Sequence, residues 1–220
     1  MTLPDRLRAW ARGHTRIRRY SPVGQAFHWT MAALVIFQLW WGWRMGRGPV
    51  GGDKLEAYQI HSQVGAVLLV LIFLRGAWRL MVPGPINDAD KPGWQSTAAH
   101  LTHYAFYAIL IILPFTGWVM WSAVAADQPI LVGGRAPWPL LPLGELPSAV
   151  RWQIMDVGRQ VHFWLALLLI GLIGAHVGAA LKHHVWDRDD ATAGMVPFLQ
   201  PPEDPRDPPY KAPEPRSPSA

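Results

Sequence analysis

His162 and His176 stand fourteen residues apart in the run Val161 to Leu181, which contains no Asp, Glu, Lys or Arg. An ionisable side chain inside an apolar span is costly and marks a functional site before it marks packing. Imidazole is a usual axial ligand of haem iron. At 3.6 residues per turn, fourteen residues make nearly four turns and about 21 Å, so both rings leave almost the same helix face at two depths. One helix can therefore offer a ligand to each of two stacked cofactors.

The elements that must position these rings are predicted to be membrane-spanning helices. Half of the 220 residues are of hydrophobic type, thirteen are Trp and only 16% are charged, which is too apolar for an ordinary soluble domain. Four stretches are long and apolar enough to cross a bilayer: Phe27 to Trp43, His61 to Val82, His103 to Ala126 and Val161 to Leu181. The expected fold is an all-α membrane protein, a four-transmembrane-helix bundle enclosing two b-type haems. The first span is longer than a signal peptide's apolar region and ends in Trp40, Trp41 and Trp43 rather than at small residues, so it reads as retained.

Charge sets the expected orientation. Arg6, Arg8, Arg12, Arg16, Arg18 and Arg19 precede the first span, whereas the loop after it carries Arg44, Arg47 and Lys54. The positive-inside rule then places the N-terminus in the cytoplasm, and four spans return the C-terminus there. The net charge of +5 is spread along membrane borders, which excludes a nucleic-acid recognition surface. Thr2 to Arg12 is open to two readings, a short amphipathic helix on the inner leaflet or a solvated basic tail.

Cysteine is absent, which excludes disulfides, iron–sulfur clusters and covalently attached c-type haem. Three regions are expected: a basic cytoplasmic segment 1–22, a transmembrane domain 23–196 and a Pro-rich disordered tail 197–220. Gly46 to Gly52 and the helix breakers Pro83, Gly84, Pro85 and Pro92 read as turns. The longer segment Asp127 to Pro147 is either a cap on the periplasmic mouth or a poorly ordered connector.

With that topology each histidine acquires a depth. His28 lies at the cytoplasmic end of span one and His61 at the periplasmic start of span two, while span four runs the other way. His61 therefore matches His162 in the outer leaflet and His28 matches His176 in the inner one. Arg75, fourteen residues after His61, falls at the inner depth. Arg75 or Arg79 could pair haem propionates, since a guanidinium suits a carboxylate at low dielectric, or both could snorkel to headgroups. Haem is preferred to zinc because each pair lacks Asp, Glu or Cys partners and would leave zinc under-coordinated. His100, His103, His183 and His184 form a cytoplasmic interfacial cluster, either solvated or lining a quinone pocket, with His103 and His183 the candidates to donate a proton.

The motifs RYSPVGQAFHW with His28, IHSQVG with His61, LRGAWRL with Arg75 and Arg79, AHLTHY with His103, QVHFW with His162, and AHVGAALKHHVWDRDD with His176 and His183 occur in this order. From about Arg19 to Pro197 the chain resembles the bacterial cytochrome b561 family, small four-helix dihaem membrane proteins that include superoxide oxidase. The resemblance implies two haem b ligated by His28, His61, His162 and His176, a bacterial inner (cytoplasmic) membrane location, and ubiquinone as one redox partner. In superoxide oxidases it further implies that superoxide delivers electrons at the periplasmic haem, for which Arg44, Arg47, Lys54, Arg135, Arg151 and Arg159 would supply an electropositive approach. The arginine-rich start, the Asp127 to Pro147 insertion and the Pro-rich tail depart from the smallest members and leave room for a periplasmic redox partner. Two rival functions stand beside this one: a membrane-anchor cytochrome b serving a hydrogenase or dehydrogenase, and a histidine-based metal transporter.

Overall fold

The computed structural model describes residues 2–14, 19–47, 52–84, 93–124, 128–187 and 192–199. The expected turn around Gly48 to Gly51, the breakers Pro85 and Pro92, Asp127 and the tail from Gln200 lie outside the described residues. The elements are α1 (Leu3–His14), α2 (Pro22–Arg47), α3 (Gly52–Met81), α4 (Gly93–Val124), a two-stranded hairpin of β1 (Ile130–Val132) and β2 (Ala136–Trp138), and α5 (Ser148–Lys182) followed by a π-helical turn, His183–Asp187. Of these helices α3, α4 and α5 are long and apolar enough to cross a membrane. α2 has the length, 26 residues, but His28, Gln38 and the indoles of Trp29, Trp40, Trp41 and Trp43 within it lower its apolarity.

The chain divides into two compact units: Met1–His28, Arg75–Ser96 and His176–Ala220 form one, Trp29–Leu74 and Thr97–Ala175 the other.

In the second unit all four long helices share one core. Met31 and Val35 of α2 are one turn apart and meet Leu68, Leu69 and Ile72 of α3, Ile109 of α4 and Leu169 of α5. This spacing places each contribution on a single helix face. Outward-facing residues are also apolar: Trp164 is 65% exposed, Leu168 53% and Ile170 51%. Such an apolar exterior suits hydrocarbon rather than water.

The hairpin resolves the two readings of the loop after α4 in favour of a cap. Ile130 pairs with Trp138 and Val132 with Ala136, across a turn in which Gly133 and Gly134 take φ of 63° and 71°, the left-handed region that glycine enters without Cβ strain. Trp118 Nε1 donates to the Pro139 carbonyl at 2.7 Å, and Trp121 Nε1 to that of Gln128 at 2.8 Å. The Leu141 amide donates to Ser122 Oγ at 3.1 Å, and the Trp118 and Trp138 rings meet edge-on at 6.0 Å. The cap is thus fastened to the last two turns of α4.

In the first unit α1 is a docked helix, which corrects the solvated-tail alternative. Thr2 and Asp5 form a reciprocal cap: the Asp5 amide donates to Thr2 Oγ1, while the Thr2 hydroxyl and amide donate to Asp5 Oδ2 at 2.5 and 3.0 Å. Arg8 Nε donates to the Met81 carbonyl at 2.7 Å, Trp10 packs edge-on against Trp78 at 6.4 Å, and Ala11 is buried.

α2 begins where its sequence dictates. Ser21 caps it by accepting from the Gly24 amide, and Pro22 takes the first helical position, where a missing N–H costs nothing. Residues 192–199 return to this same end. The Tyr20 amide and Gln25 Nε2 both donate to the Gly194 carbonyl, and one terminal nitrogen of Arg19 reaches the carbonyls of Val196, Pro197 and Leu199. The expected start of the tail at residue 197 therefore falls inside a fastened segment.

Candidate cofactor site

Each of the two units holds one histidine pair. In the second unit His61 of α3 faces His162 of α5 with ring centroids 6.0 Å apart and planes at 63°. In the first, His28 of α2 faces His176 of α5 at 6.3 Å and 58°. All four rings are half-buried. Two imidazoles on opposite sides of one metal, each with a metal–nitrogen bond of about 2 Å, have ring centres roughly 6 Å apart. Both separations match that requirement. Among the described residues no group of three or more His, Cys, Asp or Glu is arranged to hold a metal ion, so neither pair resembles a zinc cage.

Helix-interior glycines bring backbone against the second-unit pair. A Cβ on Gly42 would stand 3.2 Å from His61 Cε1, and one on Gly117 would stand 3.6 Å from His162 Cε1. Glycine is poor in a helix interior, and here it lets α2 and α4 approach the rings. Gln38 Nε2 donates to the His61 carbonyl at 2.8 Å. Thr116 Oγ1 lies 2.8 Å from His162 Nδ1 and 2.7 Å from the Leu113 carbonyl. His61 Nδ1 is buried with no hydrogen-bond partner among the described residues. Gly42, Thr116, Gly117 and Gln38 escaped the sequence reading, in which small or polar helix-interior residues beside no charge look unremarkable.

The first-unit pair carries a buried cation. One terminal nitrogen of Arg75 lies 3.5 Å from His28 Nδ1, and the other is buried with no hydrogen-bond partner among the described residues. A guanidinium so placed calls for an anion, and a propionate-bearing cofactor meets that demand. Arg79 is instead exposed and stacks over Tyr20 at 4.9 Å. The residue chemistry therefore suits haem: facing imidazoles at both pairs, close-lying glycines at the second-unit pair and a cation for a carboxylate at the first-unit pair.

Other expected residues fall elsewhere. His100 and His103 are exposed on α4. His183 Nδ1 pairs with Asp187 Oδ2 at 2.9 Å, and Lys182 Nζ meets the same carboxylate. Arg44 packs over Trp40 and Trp41, Arg47 over Trp43 at 3.9 Å, and Arg159 pairs with Asp156 at 3.7 Å. Arg151 reaches the Ala123 carbonyl near the end of α4 at 3.5 Å.

A mainly helical chain with three apolar membrane-length helices and two half-buried histidine pairs defines a membrane cytochrome. The chain belongs to the prokaryotic cytochrome b561 family, whose model matches residues 19–198, and is thereby a b-type haem protein of membrane electron transfer. It is 28% identical over 179 residues to cytochrome b561 homolog 2 of Escherichia coli strain K12, covering 81% of this chain and 91% of that one. It is 25% identical over 182 residues to cytochrome b561 homolog 1 of the same strain, with 82% and 98% covered. A Yersinia pestis protein named probable superoxide oxidase CybB is 28% identical over 188 residues, with 82% and 97% covered.

Proposed function

We propose that this chain is a dihaem b-type cytochrome of the bacterial inner membrane that takes electrons from superoxide on the periplasmic side and delivers them to ubiquinone on the cytoplasmic side. The observation that carries the reading is the presence of two imidazole pairs, at 6.0 and 6.3 Å, each spaced for one six-coordinate iron. The similarity to the Yersinia pestis protein, which extends over nearly all of that chain, supports superoxide as donor.

Four spans and cytoplasmic termini are supported by a hydrogen bond as well as by charge. Arg8 donates to the carbonyl at the end of α3, so residues 8 and 81 share one side of the bilayer. If α3 crosses, α2 must cross as well. The six arginines before α2 assign that shared side to the cytoplasm.

Haem supplies one-electron ferric/ferrous chemistry when bound. The chain's own tasks would be to hold one haem with His61 and His162 and a second with His28 and His176, each pair supplying imidazole nitrogen to the iron. Arg75 stabilises carboxylate charge at the inner pair. Two superoxide ions release two electrons and become two molecules of oxygen; ubiquinone takes those electrons with two protons from the cytoplasm. His103 and His183 stand as proton donors for that step, the latter with the Asp187 carboxylate 2.9 Å from its Nδ1. Of the cations expected on the periplasmic side, Arg135 is exposed in the turn of the cap hairpin.

The test is a haem assay with a reduced-minus-oxidised spectrum, followed by a superoxide flux. Two extractable haem b per chain are expected, reduced by enzymatically generated superoxide, with the reduction abolished by superoxide dismutase and slowed by salt as charge is screened over about 8 to 10 Å. Haems that stay oxidised under the flux, yet reduce with dithionite, would remove superoxide and leave an electron carrier with another donor.

A further inference from the structure

The Thr116 hydroxyl has one proton and two close neighbours. The Leu113 carbonyl, 2.7 Å away, can only accept, so the hydroxyl proton must point to it. Oγ1 is then left to accept at its other contact, 2.8 Å from His162 Nδ1. Nδ1 must therefore carry the imidazole proton, which makes Nε2 the nitrogen with a lone pair. Leu113, Pro114, Phe115, Thr116 and Gly117 together make a short device on α4: a carbonyl, a helix-interior proline, a hydroxyl and a glycine at which an added Cβ would stand 3.6 Å from the His162 ring. No such arrangement serves His61, whose Nδ1 is buried with no hydrogen-bond partner among the described residues.

We propose that Thr116 is a positioning residue that fixes His162 in its Nδ1–H tautomer and makes the two imidazoles of this pair chemically unequal. The inference rests on the reading of His162 as a haem ligand. A histidine whose far nitrogen donates a hydrogen bond is held in orientation and is the more basic ligand. More electron donation stabilises ferric iron, so this hydrogen bond lowers the midpoint potential of the haem held by His61 and His162 and leaves that held by His28 and His176 untouched. An electron donor on that side then meets an acceptor whose potential is set partly by one threonine.

The experiment compares holoprotein carrying Thr116→Val, which keeps the shape and removes the hydroxyl, with Thr116→Ser, which keeps the hydroxyl. Haem stoichiometry and potentiometric titration are read, with His162→Ala as reference to identify the haem concerned. Thr116→Val should move one of the two potentials upward and weaken retention of that haem by about 10- to 100-fold. Thr116→Ser should match the parent in both. If His162→Ala retains both haems, the ligand assignment itself fails. If His162→Ala loses one haem but Thr116→Val leaves its potential and retention unchanged, the ligand assignment stands and the positioning role is overturned. Should Thr116→Val lose both haems, Thr116→Ser decides: parental behaviour supports the hydroxyl's role, and a matching loss overturns it.

Discussion

The Tyr20 amide donates to the Gly194 carbonyl at 3.0 Å, joining the entrance of α2 to the stretch that follows α5. Two residues in a hydrogen bond lie on one side of any membrane between them, so the chain must cross an even number of times from Tyr20 to Gly194. Three crossings cannot satisfy that, whereas the proposed four spans, with α2 as the fourth, do. Because the chain has no cysteine, single substitutions give clean labels. Ala9→Cys and Phe198→Cys should react with an impermeant thiol reagent from one side of oriented membranes, and Arg135→Cys from the other. Labelling of all three from one side would overturn the four-span topology.

Haem content should divide by pair. Replacing His61 or His162 with Ala should leave one haem per chain, replacing His28 or His176 should remove the other, and His162→Ala with His176→Ala together should leave none. Pyridine haemochrome stoichiometry checks this; full occupancy in the double variant would end the bis-histidine assignment.

The two glycines should respond differently to the same change. A methyl on Gly42 would stand 3.2 Å from His61 Cε1, tighter than ordinary contact, whereas one on Gly117 would meet His162 at 3.6 Å. Alanine gains up to about 1 kcal/mol of helix propensity at either position. Gly117→Ala should therefore hold haem as the parent does, while Gly42→Ala should release it roughly tenfold more readily, as expected for a displaced ligand. Transfer of haem to apomyoglobin measures both rates, and equal rates would deny Gly42 its special closeness.

The α1 cap gives a prediction in pH. Hydrogen bonds from the Thr2 hydroxyl and then the Thr2 amide, with smaller help from Arg8 and Arg12, hold the Asp5 carboxyl below its usual value of 3.8. For a depressed carboxylate, the stabilisation is fully present above 3.8 and is lost as pH falls through the lowered value. A spin label at Ala9→Cys should thus keep the same mobility from neutral pH down to 3.8 and loosen below it as pH falls through the lowered value. Asp5→Ala should be loose at every pH. A label indifferent to acid in the parent would exclude the ionised Asp5 cap as a support of the α1 helix.

The histidine pairs were legible because charge-free surroundings and the fourteen-residue spacing on one helix survive without tertiary information. Their supports were not. Thr116 and Gly42 acquire meaning only when α5 and α3 lie beside them, and in sequence they are a threonine and a glycine among apolar residues. Arg19 was read as one more border charge, yet it is only 8% exposed and serves three carbonyls from the far end of the chain. The hairpin was hidden because Pro and Gly leave no alternation to read across its three-residue strands. α1 looked equally suited to water because its apolar face is short, and docking on Trp78 and Met81 depends on residues some seventy positions away.

The segment 192–199 also imposes an order on biogenesis. Its partners, Arg19, Tyr20 and Gln25, are synthesised first, yet they cannot make these hydrogen bonds until residues 194–199 leave the ribosome. At about 5 to 20 residues per second, that wait lasts roughly ten seconds or more. Both histidine pairs likewise await α5. The nascent protein must therefore remain open while its first helices are already made, and this late segment is what closes it.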